Sequence, residues 1–327
     1  MKTGNPGVLA GVVWLVAAVS LSGAGLVLER TIPLPGVAGR IDHFSSDSAG
    51  QRLFVAALGN NTVEVLDLKP GGSSRTFRGF AEPQGVLFLP ESNQLCVANG
   101  GDGTLRILEG GTGATLRTLA LGDDADNLRY DPVARLVYVG YGSGALGAVD
   151  PATGKVAADI PLGAHPEAFQ LAQADSRIFV NLPGAHTVAV VDRRARKVVA
   201  EWSLGLAAGN FPMALDEAHH RLFVACRLPA RLLVFDTGAG KEIARLDLHG
   251  DCDDLFYTAA SNQLYASCGE GFIDVFAAPD SDQLQRIEAV KTVAGARTCL
   301  LAGDVLYLAV ARRGRQSAEI RCYRLAP

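Results

Sequence analysis

Acidic, amide, histidine and arginine side chains recur at one place in a repeating pattern, about ten residues before each copy of a short apolar motif. They are Asp42, His43, Gln84, Asp126, Asn127, His165, Glu167, Asn210, Asp253, Asp254 and Arg297. Polar groups that converge in a concave site can bind a small polar or cationic ligand. The same residues could instead only satisfy backbone groups around a water-filled channel, so the sequence leaves both interpretations open.

The acids of this set outnumber its single arginine. We therefore expect an electronegative site that favours a cation, a metal or a polyhydroxylated ligand over a phosphate. Arg297 is expected to form a salt bridge with Asp253 of the preceding repeat, or alternatively to orient a ligand carboxylate.

Among the histidines and acids of this set, the candidate metal ligands are His43, His165, Glu167 and Asp253, with Asp126 as a further member. Imidazole combined with carboxylate suits Zn or Mn, so a divalent metal is a candidate cofactor. Their spacing matches no metal motif, and no catalytic residue is assigned. The sequence also contains no Cys-x-x-Cys-His haem site, no Gly-x-Ser-x-Gly elbow and no phosphate-binding loop of the Walker type.

The apolar motif that follows each polar position is repeated seven times. It reads RLFVA from Arg52 and again from Arg221, with the variants QLCVA from Gln94, RLVYV from Arg135, RIFVN from Arg177, QLYAS from Gln263 and VLYLA from Val305. The spacing of 41 to 44 residues indicates a repeat architecture, and the alternation of large apolar with small or polar residues is typical of strands.

Each repeat contains four strand-like segments separated by turns rich in Gly, Asn and Pro. Seven four-stranded units predict an all-β, seven-bladed β-propeller, in preference to an open solenoid or two stacked sandwiches. The last unit ends at AEIRCYRLAP with three strands, while LVLERTIPLP from Leu26 matches a fourth strand. We predict that this N-terminal strand completes the last blade and leaves no open sheet edge. The loops that lead into the innermost strands then share one face, called the top.

Three segments carry a resemblance to a known family: LGNNTVEVLDL from Leu58, GDDADNLRYDP from Gly122 and SCGEGFIDVF from Ser267. They resemble the YVTN or YncE-like β-propellers, a family of secreted bacterial proteins. The resemblance extends from about Leu26 to the C-terminus and implies the fold and export from the cytoplasm. Its members include proteins of several chemistries, so it selects no activity.

The N-terminus has the features of a secretion signal. Lys2 supplies a positive charge, and the stretch from Val8 to Leu21 supplies an apolar core. The three small residues after this core, Ser22-Gly23-Ala24, supply a cleavage site. An uncleaved membrane anchor is the alternative, but a strand that begins at Leu26 cannot lie in lipid. We predict a cleaved signal peptide at residues 1–24, one propeller domain at 25–327, a periplasmic or secreted location and no attachment to a membrane.

The charge of the chain argues against nucleic acid as a partner. Removal of Lys2 with the signal peptide takes the formal net charge from −4 to −5, whereas nucleic-acid binding depends on cationic patches. The densest basic stretch, Arg312-Arg313-Gly314-Arg315, is interpreted as a solvated loop or as a contact point for an acidic partner.

Two of the cysteines are candidates for a disulfide bond. Cys252 precedes the first strand of the sixth unit and Cys268 ends its second strand, so the two residues should reach the same rim. We predict a disulfide between them, because thiols tend to pair in an oxidising compartment. Cys226 or Cys299 is the alternative partner.

These observations lead to one function and two alternatives. The first is a secreted, monomeric binding or interaction propeller that holds a small polar or cationic ligand, or a protein partner, at its top face. The alternatives are a metal-assisted hydrolase or lyase of the lactonase kind with its site at the same channel mouth, and an accessory subunit that docks on a redox protein.

Overall fold

A computed structural model describes residues 25–47, 51–279 and 283–326 of the chain. Within these residues it contains 28 strands, arranged as seven four-stranded antiparallel sheets, and two 3-10 helices at Leu58–Asn60 and Pro183–Ala185. The predicted signal peptide lies outside the described residues. Among those that are described, no helix is long and apolar enough to cross a membrane.

Six blades follow one another along the chain, after a first strand β1 (Leu26–Leu34) that belongs to the seventh. Blade 1 has β2 (Phe44–Ser46), β3 (Arg52–Ala57), β4 (Thr62–Asp67) and β5 (Ser74–Arg78). Blade 2 has β6 (Pro83–Leu89), β7 (Gln94–Asn99), β8 (Thr104–Glu109) and β9 (Thr115–Ala120). Blade 3 has β10 (Leu128–Asp131), β11 (Leu136–Tyr141), β12 (Ala145–Asp150) and β13 (Lys155–Pro161).

The remaining blades repeat the pattern. Blade 4 has β14 (Phe169–Leu171), β15 (Arg177–Leu182), β16 (Thr187–Asp192) and β17 (Lys197–Ser203). Blade 5 has β18 (Ala208–Asp216), β19 (Arg221–Leu228), β20 (Ala230–Asp236) and β21 (Lys241–Asp247). Blade 6 has β22 (Cys252–Thr258), β23 (Gln263–Cys268), β24 (Phe272–Ala277) and β25 (Gln285–Lys291). Blade 7 has β26 (Cys299–Ala302), β27 (Val305–Val310) and β28 (Ala318–Leu325), with β1 on its outside.

The apolar motif forms the second strand of every blade, where both faces are buried. In β3, Leu53 and Val55 pack against residues of blade 7, whereas Phe54 and Ala56 pack against blade 2. Successive side chains of a strand point to opposite faces, so a strand between two neighbouring sheets needs apolar residues at every position. The core is therefore a ring of apolar layers between blades, and the centre of the ring stays open.

The arginine that begins the motif ties one blade to the next on the bottom face. The Arg52 guanidinium donates to the Gly110 carbonyl of blade 2 (3.0 Å), and Arg221 donates to Ala278 O (3.0 Å) and Pro279 O (2.7 Å) beyond β24. Arg177 reaches Thr237 O of blade 5 in the same way. Each of these guanidiniums also lies 5.1–5.7 Å from the ring of the Phe two residues later in its own strand.

The ring closes through the N-terminal strand, as the sequence predicts. β1 pairs antiparallel with β28 from Leu26 opposite Leu325 to Leu34 opposite Ala318. The register shifts between Leu28 and Arg30, at a bulge in β1. This pairing confirms the seven-bladed propeller and rules out the open solenoid and the stacked sandwiches.

Candidate functional site

The structure brings ten of the eleven predicted site residues to one funnel of about 410 Å³ at the top of the central channel. They are Asp42, His43, Gln84, Asp126, Asn127, His165, Glu167, Asp253, Asp254 and Arg297. Each lies just before, or in the first residues of, an innermost strand. The strands converge on the ring axis, and their polar first residues therefore meet at one place.

Close contact between blades helps to set the position of Asp126. Gly85 of β6 lies against the backbone of blade 3, where a Cβ atom would come within 2.1 Å of Asp126 O. Any larger residue at position 85 would push blades 2 and 3 apart. Asp126 N in turn donates to Gly140 O at 3.0 Å, which anchors the residue to β11.

His43 lies at the centre of an acidic cluster. Its Nε2 atom is 3.6 Å from Asp126 Oδ1 and 3.9 Å from Asp42 Oδ1, and its Nδ1 atom is 4.0 Å from Asp254 Oδ1. Burial lowers the pKa of His43, but the surrounding carboxylates, Asp42 first, outweigh it and raise the pKa to about 9. The imidazole is therefore a cation at neutral pH.

Burial has the opposite effect on the acids of the funnel. It raises the pKa of Asp42 to about 6, of Asp254 to about 7 and of Glu167 to about 8, and it also raises the pKa of Asp126. Neighbouring carboxylates add to the effect, and His43 counters it. Several protons are thus held close together and exchange near neutral pH, which is unusual for acids on a protein surface.

Two carboxylate oxygens in this cluster, Asp42 Oδ2 and Asp126 Oδ1, have no hydrogen-bond partner, although the Arg40 guanidinium forms an ion pair with Asp42 Oδ2. Asp126 is 6% exposed, and its Oδ1 atom is buried without a donor within hydrogen-bonding distance. A buried acceptor without a partner costs free energy, and in native structures such groups are rare. Asp126 Oδ1 is therefore ready to accept a hydrogen bond or a positive charge from a ligand in the funnel.

Four arginines line the funnel, three more than the sequence analysis identified. Arg297 forms the predicted salt bridge, with Nε 3.2 Å from Asp253 Oδ2, and its Nη1 atom is 2.6 Å from Asp251 Oδ1. Arg227 also pairs with Asp253, and its guanidinium lies 3.9 Å from the centre of the Phe211 ring. The other two are Arg40 and Arg129.

These last two arginines have different surroundings. Arg40 is half-exposed and contacts Asp42 at 2.7 Å. Arg129 is half-buried at the waist of the channel, and burial lowers its pKa against the opposing effect of Asp254 and Asp126. Acids outnumber arginines in the funnel, but four guanidiniums, the His43 imidazolium and the protons on the buried acids make it more balanced in charge than the sequence predicts.

Asn210 does not line the funnel, contrary to the sequence-based expectation. Its side-chain amide donates to Asn181 Oδ1 at 3.0 Å and to Thr187 O at 2.9 Å, away from the channel. The register of β18 with β19 shifts between Asn210 and Met213, which turns Asn210 toward blade 4. Phe211 lines the funnel in its place.

On the opposite wall of the funnel, Asp124 contacts both Gln84 and His165. The sequence analysis did not select this residue. Gln84 Nε2 donates to Asp124 Oδ1 at 2.7 Å, and His165 Nε2 lies 3.6 Å from Asp124 Oδ2. His165 Nδ1 is 2.6 Å from Gly142 O, and since a carbonyl only accepts, this nitrogen carries a proton. These contacts hold His165 at the rim.

The candidate metal ligands do not form one set. No group of three or more His, Cys, Asp or Glu side chains in the described part of the chain is arranged to hold a metal ion. His43 is a cation and would have to lose its proton before it could ligate. A bound metal remains a prediction that elemental analysis of the purified protein can test.

Cys252 and Cys268 lie opposite each other in β22 and β23, both buried. The structure holds them as free thiols, and burial raises the pKa of Cys252 well above its ordinary value. The two residues are register partners on neighbouring strands, and the disulfide itself remains a prediction.

Below the funnel the channel continues into a second cavity of about 450 Å³. The two cavities share residues at a waist, among them His43, Arg129 and Asp254. Apolar residues of the inner strands, including Val86 and Leu87, line the lower cavity. The concentration of charge is therefore confined to the top of the channel and its waist.

Comparison with known proteins shows the fold and no closer relationship. No protein-family model matches the sequence, and no curated protein is significantly similar to it. A chain in the crystal structure of a mitotic checkpoint complex has a TM-score of 0.80 at 14% identity, covering 99% of this chain and 100% of that chain. The WD40 β-propeller domain of Doa1 has a TM-score of 0.74 at 10% identity, covering 91% and 97%.

A further similar structure is a chain of Kuenenia stuttgartiensis hydrazine synthase, with a TM-score of 0.72 at 15% identity, covering 84% of this chain and 92% of that chain. All three identities are too low to transfer a function. The similarity establishes a β-propeller, a fold that commonly mediates interactions.

Proposed function

We propose that this protein is an exported, monomeric propeller that binds a small cationic, hydroxylated ligand in the funnel. The observation that carries this proposal is the buried Asp126 Oδ1 atom, which has no hydrogen-bond partner and belongs to a residue that lines the funnel together with further acids. Export is supported by the N-terminal signal pattern and by the resemblance to the YVTN family, to which we assign the chain as part of the proposal.

A cation fits the charge of this funnel. Asp42, Asp254 and Glu167 retain protons near neutral pH because burial disfavours their charged forms. A cationic ligand would offset this penalty, so that the carboxyl groups release protons when it binds. Hydroxyl groups on the ligand can use the protonated carboxyls as donors and the ionised carboxylates as acceptors.

Choline is a suitable probe because its charge does not change with pH and it carries one hydroxyl group. Isothermal titration calorimetry at pH 8 should detect choline binding to the wild-type protein. The neutral isostere 3,3-dimethyl-1-butanol should bind at least about tenfold more weakly, which corresponds to about 1.4 kcal/mol. Asp126→Asn should weaken choline binding by a similar factor.

A matched control separates the funnel from the general charge of the top face. Asp102 lies in the turn between β7 and β8, where its carboxylate accepts hydrogen bonds from Thr104 that an asparagine can also accept. Asp102→Asn removes the same charge outside the funnel and should leave choline affinity unchanged. Equal binding of choline and its neutral isostere, or no binding of either, would contradict the proposal.

A metal-assisted hydrolase or lyase is the second candidate, favoured by one observation. Three carboxyl groups with pKa values of about 6 to 8 lie in one funnel, and general acid–base catalysis uses groups that titrate near the working pH. Elemental analysis separates the two functions, since such an enzyme should retain a stoichiometric divalent ion and a ligand-binding propeller need not.

A further inference from the structure

A further cavity, of about 370 Å³, opens on the top face beside the funnel. It lies between the entrance to blade 1 and blade 7. Its charged lining groups are Arg40, Arg297, Arg312 and Asp251. Three guanidiniums therefore face one carboxylate, which reverses the balance of the funnel. We call this cavity the arginine pocket.

The arginine pocket and the funnel are neighbours that share two side chains. Arg40 and Arg297 line both cavities. A single ligand could therefore extend from one cavity to the other past these two guanidiniums. Its positive end would lie among the acids around His43, and its other end would lie against the arginines.

The three arginines have hydrogen-bond donors that are not in use. Arg297 directs Nη1 to Asp251 at 2.6 Å and Nε to Asp253 at 3.2 Å, and Arg40 directs Nη2 to Asp42 at 2.7 Å. Arg312 is exposed, and its side chain forms no hydrogen bond or ion pair with any described residue. A guanidinium has five N–H donors in a planar fork that matches carboxylate and phosphate, so each arginine can still bind an anion.

We propose that the arginine pocket is an anion subsite that binds a phosphate or carboxylate group of the ligand held in the funnel. The ligand is thus bipolar, with a cationic part and an anionic part. This inference rests on the proposed function for the cationic end, while the anion subsite itself can be tested separately. It also gives the basic stretch at Arg312 a role that a solvated loop would not have.

The first experiment tests the subsite alone with inorganic phosphate, titrated by calorimetry at low ionic strength and pH 8. Arg312→Gln should weaken phosphate binding by about tenfold or more, since a charge-assisted contact is lost. Arg315→Gln is the matched control, because it removes the same charge from the same exposed loop but does not line the pocket. It should leave phosphate affinity unchanged.

The second experiment tests the bipolar ligand with choline and phosphocholine, which differ by one phosphate group. Phosphocholine should bind the wild-type protein at least about tenfold more tightly than choline. Arg312→Gln should abolish this advantage and Arg315→Gln should preserve it.

The possible outcomes separate the two proposals. Phosphate binding that depends on Arg312, without any binding of choline, would support the subsite and contradict the function proposed for the funnel. Choline binding that depends on Asp126, with equal affinity for phosphocholine, would overturn the subsite alone. Equal losses in Arg312→Gln and Arg315→Gln would also overturn it, because they would show a diffuse charge effect and not a site. Phosphate binding without a phosphocholine advantage would overturn the bipolar ligand.

Discussion

At the scale of single residues, the positive charge of His43 allows several buried acids to lie close together. Four carboxylates around one imidazole would repel one another, and the imidazolium reduces this repulsion from within the cluster. The arrangement is nevertheless costly, because the acids remain partly protonated at neutral pH. Groups with strongly shifted pKa values cluster at functional sites, which fits a ligand-binding role for the funnel.

The stability of the protein should therefore depend on pH through Glu167. The pKa of this group is about 8 in the folded protein against an ordinary value of 4.5, so the folded state binds the proton more tightly. The proton on Glu167 therefore adds to the free energy of unfolding. This stabilisation is fully present below pH 4.5 and is lost as the pH rises to 8. Glu167→Gln, a neutral isostere, should melt like the wild type at pH 5 and higher by at least roughly 2–4 °C at pH 9.

Thermal unfolding followed by circular dichroism at both pH values measures this difference. Glu201→Gln is the control, because Glu201 is exposed on β17 and lies outside the funnel. Its melting temperature should follow that of the wild type at both pH values. A Glu167→Gln protein that is no more stable than wild type at pH 9 would show that folding does not disfavour the ionised form of Glu167.

At the scale of single elements, the motif arginine acts as a clamp between neighbouring blades. Arg221 is fully buried and pairs with Asp216 at 2.7 Å while its guanidinium also reaches the turn of blade 6. Arg221→Gln should lower the free energy of unfolding by about 3–5 kcal/mol, because it leaves the buried Asp216 without its main partner. Arg135 begins the motif copy of blade 3 but lies exposed in the turn before β11, one residue before Leu136, which pairs with Asp131 as Arg221 pairs with Asp216.

Chemical denaturation of the two variants compares the same substitution in two environments. Arg135→Gln should change the free energy of unfolding by no more than about 0.5 kcal/mol, as is usual for surface substitutions. If the two substitutions cost the same, the contacts between blades made by Arg221 do not contribute to stability.

The pairing of β22 with β23 gives a second prediction for an element. Protein isolated from an oxidising compartment should contain a Cys252–Cys268 disulfide, because the two residues are register partners. The bond should add about 2–4 kcal/mol at most. Peptide mapping without reduction identifies it, and alkylation of both thiols in unreduced protein would disprove it.

Periodicity explains why much of the funnel could be predicted from the sequence. The repeat fixes where each innermost strand begins, and a ring brings these positions together, so ten of the eleven predicted residues line one funnel. Asn210 was misplaced because a register shift in β18 cannot be seen in the repeat. Arg227 was missed because it lies near the end of a second strand and reaches the funnel only through its long side chain.

Arg129 could have been found from the sequence. It lies on an innermost strand, two residues after Asn127, and alternate residues of such a strand face the same side. The same period places both residues at the channel. Contacts that join different blades, such as that of Arg227 in blade 5 with Asp253 in blade 6, depend on side-chain conformations that no repeat determines.

At the scale of the whole molecule, the ring serves as a rigid frame that distributes charge over one face. Blades 2 to 4 contribute Asp124, Asp126 and Glu167, while blade 7 contributes the exposed Arg312. Blades 1 and 3 each contribute an acid and an arginine to the funnel, Asp42 with Arg40 and Asp126 with Arg129, while the other charged groups of the two cavities come from other blades. Binding at this face therefore requires that all blades keep their places, and hence that the ring stays closed.

Closure depends on β1, whose removal should open the ring. Leu34 packs in the apolar layer between blades 7 and 1, and Leu26 packs in the layer between blades 6 and 7. Deletion of residues 26–35 would expose the backbone edge of β28 as well as these layers, and exposed strand edges promote association. We expect this variant to aggregate in size-exclusion chromatography, whereas a chain that begins at Gly25 should remain monomeric and melt cooperatively. A monomeric deletion variant with an unchanged melting temperature would mean that the blade 7 sheet is stable with three strands and that the pairing of β1 with β28 does not hold the ring together.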